Sequence, residues 1–509
     1  MNYIKRMMWG LVIAAPLVIL SSGCKKFLDR KPLSATLDDL NQGGLEGQII
    51  GLYGNIRNSA SEPYTGDGFQ SIPYLGMNMF RSDDQEIVSD PGASGWHSTY
   101  DFFQYTKDDW GAGLYWDKHY VFIGLCNTAL ALADSLGVND PASIVNVAEA
   151  KFFRAYAYFD LVKNFGQVPL IDFPIRQPSD AQVAKSPEAD IYALIDEDLE
   201  YASANLPLTW DAKYVGRLSS GAAKTLHAKT YMFRSNFAAA LGLCKDVMAT
   251  NQYSLVTPYW SIWKTSGENG KESIFEVQSY VGPGGTVSYW SHFGTSQGVR
   301  GSDGDGWNLG WGWNTPTADL VNSYEAGDPR KNATILFSGQ SDDPANGGYG
   351  RTVPPYTNAL YWNKKVYTDP AEQAVTGDIH GSGFVNQRVL RYADVILMAA
   401  EAANEVGGAD NILLATENLE MIRARARNGN NAILPPVAYV SQAQMRTAIQ
   451  RERRSEFAME AERFYDLVRW NLAQSVLGPL GYTARHRLFP LPSSAITSNP
   501  KLVQNPDWP

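Results

Sequence analysis

Apolar residues recur every three or four positions over several long segments of the chain. Between residues 145 and 162 one such stripe includes Val145, Phe152, Phe159 and Val162, which would lie on one face of a helix. A second helix is predicted from the run Ser186-Pro187-Glu188, because a capping Ser, a proline at the first helical position and an acid in the first turn are typical of a helix start. Further helices are predicted near 220–235, 237–249, 390–406, 413–428, 442–460 and 462–475.

Several of these predicted helices are adjacent and rich in alanine. Ala222, Ala223 and Ala228 lie in one of them, and Ala399 and Ala400 in another. Small residues let neighbouring helices pack closely, as in helical hairpins of the tetratricopeptide kind, although no strict 34-residue period is present. The predicted fold is mostly α, with tetratricopeptide-like hairpins as its scaffold.

Two long segments lack helical periodicity. Residues about 60–118 and 250–385 are rich in Gly, Ser, Asn, Pro and aromatic side chains, and the alternating run 273–278 predicts a short strand. Long ordered loops in a compact protein usually carry function. We therefore expect the ligand site on these irregular insertions.

The N-terminus has the pattern of a bacterial lipoprotein signal. Lys5 and Arg6 precede an apolar stretch from residue 7 to residue 20, which is shorter than the roughly 20 residues of a membrane-spanning helix. Small residues then lead to Cys24 in the run Ser21-Ser22-Gly23-Cys24. The sequence favours a signal peptide over residues 1–23 and lipid attachment at Cys24, with simple secretion as the alternative.

Composition narrows the class of protein. The 509 residues are 44% hydrophobic and 19% charged, which indicates a globular chain and not a disordered one. The net charge of −10 argues against a nucleic-acid binder. Cys126 and Cys244 are predicted to be buried thiols in preference to a disulfide or a metal site, and no pair of histidines has the i, i+4 spacing of a helical zinc site. The 14 Trp and 27 Tyr exceed what a helical core normally requires.

The charged segment 451–469 could hold either a catalytic centre or structural ion pairs. It contains acids and bases in alternation: Arg453, Arg454, Glu456, Glu460, Arg463 and Asp466. Mixed signs on an amphipathic helix usually make structural ion pairs, and this interpretation is preferred over paired carboxylates acting on a sugar bond.

A series of short motifs runs in order along almost the whole chain. The strings are Cys24-Lys25-Lys26-Phe27-Leu28-Asp29, Ala148-Glu149-Ala150-Lys151-Phe152-Phe153-Arg154-Ala155, Arg391-Tyr392-Ala393-Asp394-Val395-Ile396-Leu397, Ile422-Arg423-Ala424-Arg425, Glu452-Arg453-Arg454 and Phe489-Pro490-Leu491-Pro492. Together they resemble the SusD/RagB family of outer-membrane lipoproteins. The resemblance implies a single helical domain over 24–509 that is tethered at the cell surface. It also implies a non-enzymatic protein without cofactor or metal, which captures a nutrient glycan and delivers it to a TonB-dependent SusC-like transporter.

The candidate ligand residues come from the two irregular segments. Five aromatic residues lie among glycines in the second segment: Tyr289, Trp290, Trp307, Trp311 and Trp313. An exposed aromatic ring can stack on the apolar face of a sugar while polar partners such as Asn314 bind its hydroxyls. The alternative for each Trp alone is packing of the loop onto the helices. The resemblance adds the segment after Ser82-Asp83, with Trp96 as the best candidate and Asp83 as either a ligand contact or a structural residue, whereas Trp110 and Trp116 are expected in the core.

The sequence leaves several alternatives open. A family member of this kind could bind peptides or another nutrient, and a helical hydrolase or lyase is a more distant alternative. The run Asp303-Gly304-Asp305-Gly306 only faintly resembles a calcium loop, because the later glutamate of such a loop is missing. Within the predicted domain, we expect an N-terminal helical part over 24–250, a ligand-binding insertion over 251–385 and C-terminal helical hairpins over 386–509.

Overall fold

The computed structural model describes residues 43–57, 70, 72–87, 95–285, 288–301, 306–376 and 383–509. The chain divides into two units, Met1–Gln48 and Ile49–Pro509. In the first unit the described residues contain only the start of the first helix. All features discussed below belong to the second unit. The predicted signal peptide, Cys24 and residues 303–305 of the faint calcium loop lie outside the described residues.

The helices, in chain order, are α1 (Gly44–Ile56), α2 (Ile72–Tyr74, continued by a π-helical turn Leu75–Met79), α3 (Trp96–Asp101), α4 (Trp110–Leu136), α5 (Pro141–Phe165), α6 (Glu188–Asn205), α7 (Ser220–Phe233), α8 (Phe237–Ala249), α9 (His292–Gln297), α10 (Ala318–Ser323), α11 (Pro329–Thr334), α12 (Pro370–Thr376), α13 (Tyr392–Val406), α14 (Ala409–Arg427), α15 (Gln442–Phe457), α16 (Arg463–Arg469), α17 (Ala473–Leu477) and α18 (Ser493–Ser498). The short strands are β1 (Gln85–Glu86), β2 (Ser273–Val277), β3 (Tyr280–Val281), β4 (Ser288–Tyr289), β5 (Thr315–Pro316), β6 (Ile335–Phe337), β7 (Tyr361–Asn363) and β8 (Gln387–Arg391). The mostly α fold is confirmed.

The long helices pack side by side in a row. Helix α4 packs on α5, α5 on α6, α6 on α7 and α7 on α8, and the row continues from α8 to α13 and from α13 to α14. Fully buried alanines, among them Ala222 and Ala223 on α7 and Ala399 and Ala400 on α13, allow the close approach of these helices. This arrangement is the helical-hairpin scaffold that the alanine pattern predicts.

The long insertion leaves the scaffold between α8 and α13, which contact each other directly. Strand β2 pairs antiparallel with β8, with Ser273 opposite Arg391 and Val277 opposite Gln387. This pairing joins the beginning and the end of the insertion. Two further antiparallel pairs, β3 with β4 and β6 with β7, lie within the insertion, and β1 pairs antiparallel with β5 to join the insertion to the earlier segment around Gln85.

Helix boundaries follow local capping chemistry. Helix α4 begins at Trp110 because the Asp109 side chain accepts hydrogen bonds from the backbone of Gly111 and Ala112, and it ends at Gly137, which has φ +60°. Helix α6 begins at Glu188, one residue later than predicted, with Pro187 in the capping position. The segment predicted as one helix over 462–475 is two helices, α16 and α17, because Asn471 between them has φ +57°.

The charged segment 451–469 is part of a buried ion-pair network, as its alternating charges predict. Glu456 is fully buried and accepts a hydrogen bond of 2.7 Å from Arg391 and one of 3.1 Å from Arg330, and it also binds Arg425. Burial by itself would raise the pKa of Glu456, but the charges of Arg425, Arg391 and Arg330 lower it well below its usual range. The network joins the insertion to helices α14 and α15.

The remaining features with a bearing on function are the cysteines, the apolar length of the helices and the grouping of metal-ligating side chains. Cys126 and Cys244 are both buried and free, which confirms the prediction of two isolated thiols. Among the described residues, no helix combines the length and apolarity needed to cross a membrane. Within the same residues, no group of three or more His, Cys, Asp or Glu side chains is placed to hold a metal ion.

Candidate functional site

Five tryptophans from three segments of the chain form a row, which we call the aromatic platform. In spatial order they are Trp110, Trp96, Trp313, Trp311 and Trp290. Four of them contact one another in succession, and Trp290 is joined to Trp311 through the ring of His292. Ring centroids are 5.1 Å apart for Trp110 and Trp96, 5.6 Å for Trp96 and Trp313, and 4.5 Å for Trp313 and Trp311. The structure therefore brings together Trp96, Trp290, Trp311 and Trp313, which the sequence analysis singled out as separate candidates.

Two buried histidines lie among these rings. His97 lies 4.0 Å from Trp96 and 4.3 Å from Trp313 between ring centroids. His292 connects Trp311 and Trp290, with centroid distances of 5.3 Å and 4.3 Å. Burial lowers the pKa of His292 to about 4, so this ring is neutral at physiological pH. The buried layer beneath the indoles is therefore aromatic, and its His292 ring is neutral.

The platform tryptophans keep solvent-accessible surface. Trp110 is 43% exposed, and the four others are half-buried. By contrast, His97 and His292 are 2% and 1% exposed. Half-exposed indoles supported by buried rings leave apolar surface available to a ligand.

Trp311 and Trp313 are presented by a loop that lies against helix α9. The backbone N–H of Trp311 donates to the carbonyl of Thr295 at 2.8 Å, and that of Trp313 donates to the carbonyl of Ser296 at 2.9 Å. Gly312 between them has φ +67°, a conformation that favours glycine. The sequence of this loop has no helical or strand periodicity. In the structure the two indoles are half-exposed, and Gly312 between them is buried. The alternation of Gly and Trp over residues 310–313 is the sequence feature that indicates partly exposed indoles at this position.

The same loop approaches α9 too closely for larger residues. A Cβ atom on Gly310 would lie 2.5 Å from the carbonyl oxygen of Thr295 and 2.6 Å from the Cα of Gly298. Both obstacles are backbone atoms, which cannot rotate away. The glycines of this segment therefore fix the position of the loop that carries the two central tryptophans.

Trp96 and Trp110 are placed by the junction of α3 and α4. Trp96 is the first residue of α3, and the buried Tyr100 one turn later donates its hydroxyl hydrogen bond to Asp109. Asp109 also caps the start of α4, where Trp110 is the first residue. One carboxylate thus caps the start of α4 and binds Tyr100 of α3, which holds the two helices together where the two indoles meet.

The prediction that Trp110 lies in the core is wrong. Trp110 stands at the exposed end of the platform, whereas Trp116, also expected in the core, is 5% exposed and does pack there. The preceding Asp109 was the sequence signal for a helix start at this position. A Trp at the first position of a helix lies at the end of the buried stripe and can face solvent.

Trp290 forms the other end of the row. It packs against the buried cluster of Val281, Phe384 and Val385. A Cβ atom on Gly383 would lie 1.6 Å from its Nε1 atom, so the indole occupies the space that a side chain at residue 383 would take.

Four predicted ligand residues are placed outside the platform surface. Trp307 is 3% exposed, with Tyr367 stacked 5.9 Å away between centroids and the Arg351 guanidinium 4.3 Å from its ring centroid. Asn314 is fully buried and donates to the Gln297 side chain at 2.7 Å. These contacts make both residues part of the internal packing of the insertion, which corrects their assignment as ligand contacts.

Asp83 and Tyr289 are the other two predicted ligand residues outside the row of tryptophans. Both carboxylate oxygens of Asp83 accept hydrogen bonds of 2.8 Å from Arg463, so Asp83 has the structural role that the sequence analysis left open. Burial would raise its pKa, but the hydrogen bonds and charge of Arg463, with the charge of Arg454, lower it overall. Tyr289 is 53% exposed, pairs with Tyr280 in the β3–β4 hairpin, and lies under the Arg57 guanidinium at 5.0 Å.

Comparisons with known proteins agree with this fold. A family model described as the SusD family matches residues 271–486, and one described as "Starch-binding associating with outer membrane" matches residues 69–232. Together the two models span most of the chain. The chain belongs to the SusD family.

Curated relatives and solved structures extend this assignment. The chain is 28% identical over 453 residues to SusD-like protein P2 of Formosa agariphila, covering 85% of this chain and 87% of that protein. It is 26% identical to a SusD-like protein of Bacteroides ovatus, covering 90% and 82% of the two chains. A solved structure named "Laminarin binding SusD-like protein" has 27% identity and a TM-score of 0.74, covering 91% of this chain and 99% of its own. Surface glycan-binding protein A from Bacteroides fluxus, at 24% identity and TM-score 0.73, covering 92% of this chain and 99% of its own, shows the shared fold.

Proposed function

We propose that this protein is a lipid-anchored glycan-binding protein of the outer membrane. It captures an oligosaccharide or polysaccharide on the aromatic platform and delivers it to a TonB-dependent SusC-like transporter. The observation that carries the proposal is the row of five partly exposed tryptophans on a layer of buried aromatic rings. A sugar ring offers an apolar C–H face, and a partly exposed indole is the side chain best suited to stack on it.

The relative orientation of the rings favours a glycan chain that curves. Interplanar angles along the platform are 64° between Trp110 and Trp96, 89° between Trp96 and Trp313, and 47° between Trp313 and Trp311. A flat, ribbon-like chain would need nearly coplanar rings, whereas a chain that turns presents each sugar at a new angle. The similar structure named as laminarin binding makes laminarin the first ligand to test.

The platform favours binding and release over tight retention. A shallow row of rings buries only part of each sugar, so the affinity per site is expected to be modest, with a dissociation rate that permits transfer. In the described part of the chain the platform consists of indole and imidazole rings, whereas sugar hydrolysis uses a pair of carboxylates. We therefore assign it to capture and not to catalysis.

The decisive experiment is affinity electrophoresis and calorimetry with laminarin, starch, xylan and a peptide mixture. Trp313→Ala and Trp311→Ala are expected to weaken binding of the cognate polysaccharide by about 30-fold or more, as for central hot-spot residues. Their melting temperatures should stay close to that of the parent protein. Phe173→Ala, at an aromatic residue that is 41% exposed outside the platform, is the matched control and should bind normally.

Other results would indicate a different role for these tryptophans or a different function for the protein. Retained binding with a large loss of stability would place these tryptophans in the core and refute the platform. Binding to peptides alone would make the protein a carrier of another nutrient. Release of reducing ends during long incubation with a polysaccharide would indicate an enzyme.

Membrane attachment and delivery need separate tests. Cys24→Ser is expected to abolish labelling by radioactive palmitate and to release the protein from the outer-membrane fraction. Protease accessibility on intact cells would establish which side of the membrane it faces. Co-purification with a SusC-like transporter encoded beside it is the expected result for the delivery role.

A further inference from the structure

A groove lies between the connection from α6 to α7 and the turn that precedes β2, and none of its lining residues belongs to the platform. Its volume is about 420 Å³, and its lining includes Leu208, Trp210, Val215, Arg217, Tyr253 and Lys271. Sites for small molecules typically measure roughly 300–1,000 Å³. The groove is thus large enough for a short segment of a polymer.

The aromatic wall of the groove is fixed before any ligand arrives. The indole N–H of Trp210 donates to the carbonyl of Leu218 at 2.7 Å, and the Arg217 guanidinium lies 4.2 Å from the Trp210 ring centroid. Arg217 is in turn held by the carboxylate of Glu149, to which its Nε donates at 3.0 Å. A side chain held in this way loses little conformational freedom on binding.

The polar wall is fixed as well. The hydroxyl of Tyr253 is hydrogen-bonded to that of Ser219 at 2.8 Å. The side-chain amides of Asn269 and Gln278 bind each other reciprocally at 2.9 Å and 3.0 Å. A Cβ atom on Gly221 would lie 2.4 Å from the Tyr253 hydroxyl oxygen, so only glycine permits this closure.

The chemistry of the groove is mixed. Leu208 and Val215 are 43% and 62% exposed, and they stand beside the half-buried Trp210. Amide, hydroxyl and ammonium groups of Asn269, Tyr253 and the exposed Lys271 complete the lining. Apolar surface beside fixed hydrogen-bonding groups suits a ligand that carries C–H faces and hydroxyls together.

We infer that this groove is a second glycan subsite, which takes a short segment of the same polysaccharide that binds the platform. The inference rests on the proposed function. A protein partner suits the groove less well, because a stable interface buries about 800 Å² on each side and needs a broad surface.

Exposed tyrosines connect the groove with the platform. The Gln278 side chain lies against Gly216 of the groove, and the Gln278 carbonyl accepts a hydrogen bond of 3.2 Å from Arg57. Arg57 lies over Tyr289, whose strand partner Tyr280 is 54% exposed. The residue after Tyr289 is Trp290, the end of the platform. One long glycan chain can therefore contact both sites through this hairpin.

The test compares a hexasaccharide with a polymer by calorimetry, using laminarihexaose and laminarin as probes and the starch pair maltohexaose and amylose in parallel. The parent protein should bind two hexasaccharides, Trp313→Ala one, Trp210→Ala one, and the double variant none. Affinity for the polymer should fall at least tenfold in Trp210→Ala, because two sites on one chain reinforce each other. Lys271→Ala changes an exposed residue, keeps the fold intact and should lower polymer affinity about threefold, whereas Lys501→Ala is the matched control with no effect.

Three results would overturn the inference. A stoichiometry of one in the parent protein, with Trp210→Ala and Lys271→Ala both within twofold of Lys501→Ala, would remove the second site and leave the platform function intact. Normal glycan binding by Trp210→Ala combined with lost co-purification of the transporter would make the groove a protein interface. Absence of glycan binding by the parent protein would refute the proposed function and the groove together.

Discussion

The aromatic platform and the ion-pair network around Glu456 are both assembled from distant parts of the chain, but they use opposite chemistry. The network is buried and charged, and its ion pairs join the insertion to α14 and α15. The platform is partly exposed and uncharged, and its rings stand at steep angles to one another. We therefore expect stability and the proposed ligand binding to depend on separate sets of residues, so that each set can be changed on its own.

The largest expected effect is on stability, from Glu456→Ala. The change leaves Arg391, Arg425 and Arg330 without their shared carboxylate in the interior, which is expected to cost about 3–5 kcal/mol of unfolding free energy. Chemical denaturation measures this loss. Glu417→Ala removes an exposed carboxylate from the neighbouring α14 and should cost less than about 0.5 kcal/mol. Equal stabilities of the two variants would contradict the structural role of the network.

The next effect is on binding, without a change in any platform residue. Gly310→Ala places a Cβ atom against the backbone of Thr295 and Gly298, so the loop bearing Trp311 and Trp313 must move away from α9. We expect glycan affinity to fall about tenfold or more, in the range for misplaced hot-spot residues. Gly124→Ala on α4 meets open space and serves as the control, with binding unchanged and stability equal or slightly raised. If Gly310→Ala binds like the parent protein, the loop is not held by this contact.

A further effect concerns the dependence of stability on pH. The pKa of His292 is about 4 in the folded protein, below its ordinary value of about 6.5 in an unfolded chain. The stability from this group is therefore fully present above pH 6.5 and is lost as the pH falls towards 4, by at most about 3 kcal/mol. The difference in unfolding free energy between the parent protein and His292→Gln, measured at pH 7 and pH 4.5, should shift in favour of the variant at low pH. A constant difference would show that this histidine does not titrate in that range.

The smallest effect tests where the platform ends. Trp110→Ala removes an indole that is 43% exposed, so we expect affinity for a long chain to fall about threefold, with stability nearly unchanged. Trp116→Ala, six residues later on the same helix, empties a buried site and should cost about 3–5 kcal/mol. If Trp110→Ala also unfolds the protein, Trp110 belongs with the core as the sequence suggested.

Much of the scaffold follows from the sequence alone. The periodicity of residues 145–162 and the alanine-rich helices predict α5, α7 and α13, because burial of one helix face depends only on local spacing. Alternating charges over 451–469 predict ion pairs, because the alternation of signs is also a feature of the local sequence. The junction of α16 and α17 was missed, since Asn471 takes a left-handed conformation that no hydrophobic pattern indicates.

The sequence by itself determined the helical scaffold, the family resemblance and the two segments in which a ligand site would lie. Only the tertiary structure decided which aromatic residues form the candidate site. Trp307 and Trp311 stand four residues apart in the same glycine-rich loop, yet one is covered by Tyr367 and Arg351 and the other is half-exposed over His292. Exposure of a loop side chain depends on residues that are distant in sequence, and local composition does not encode it.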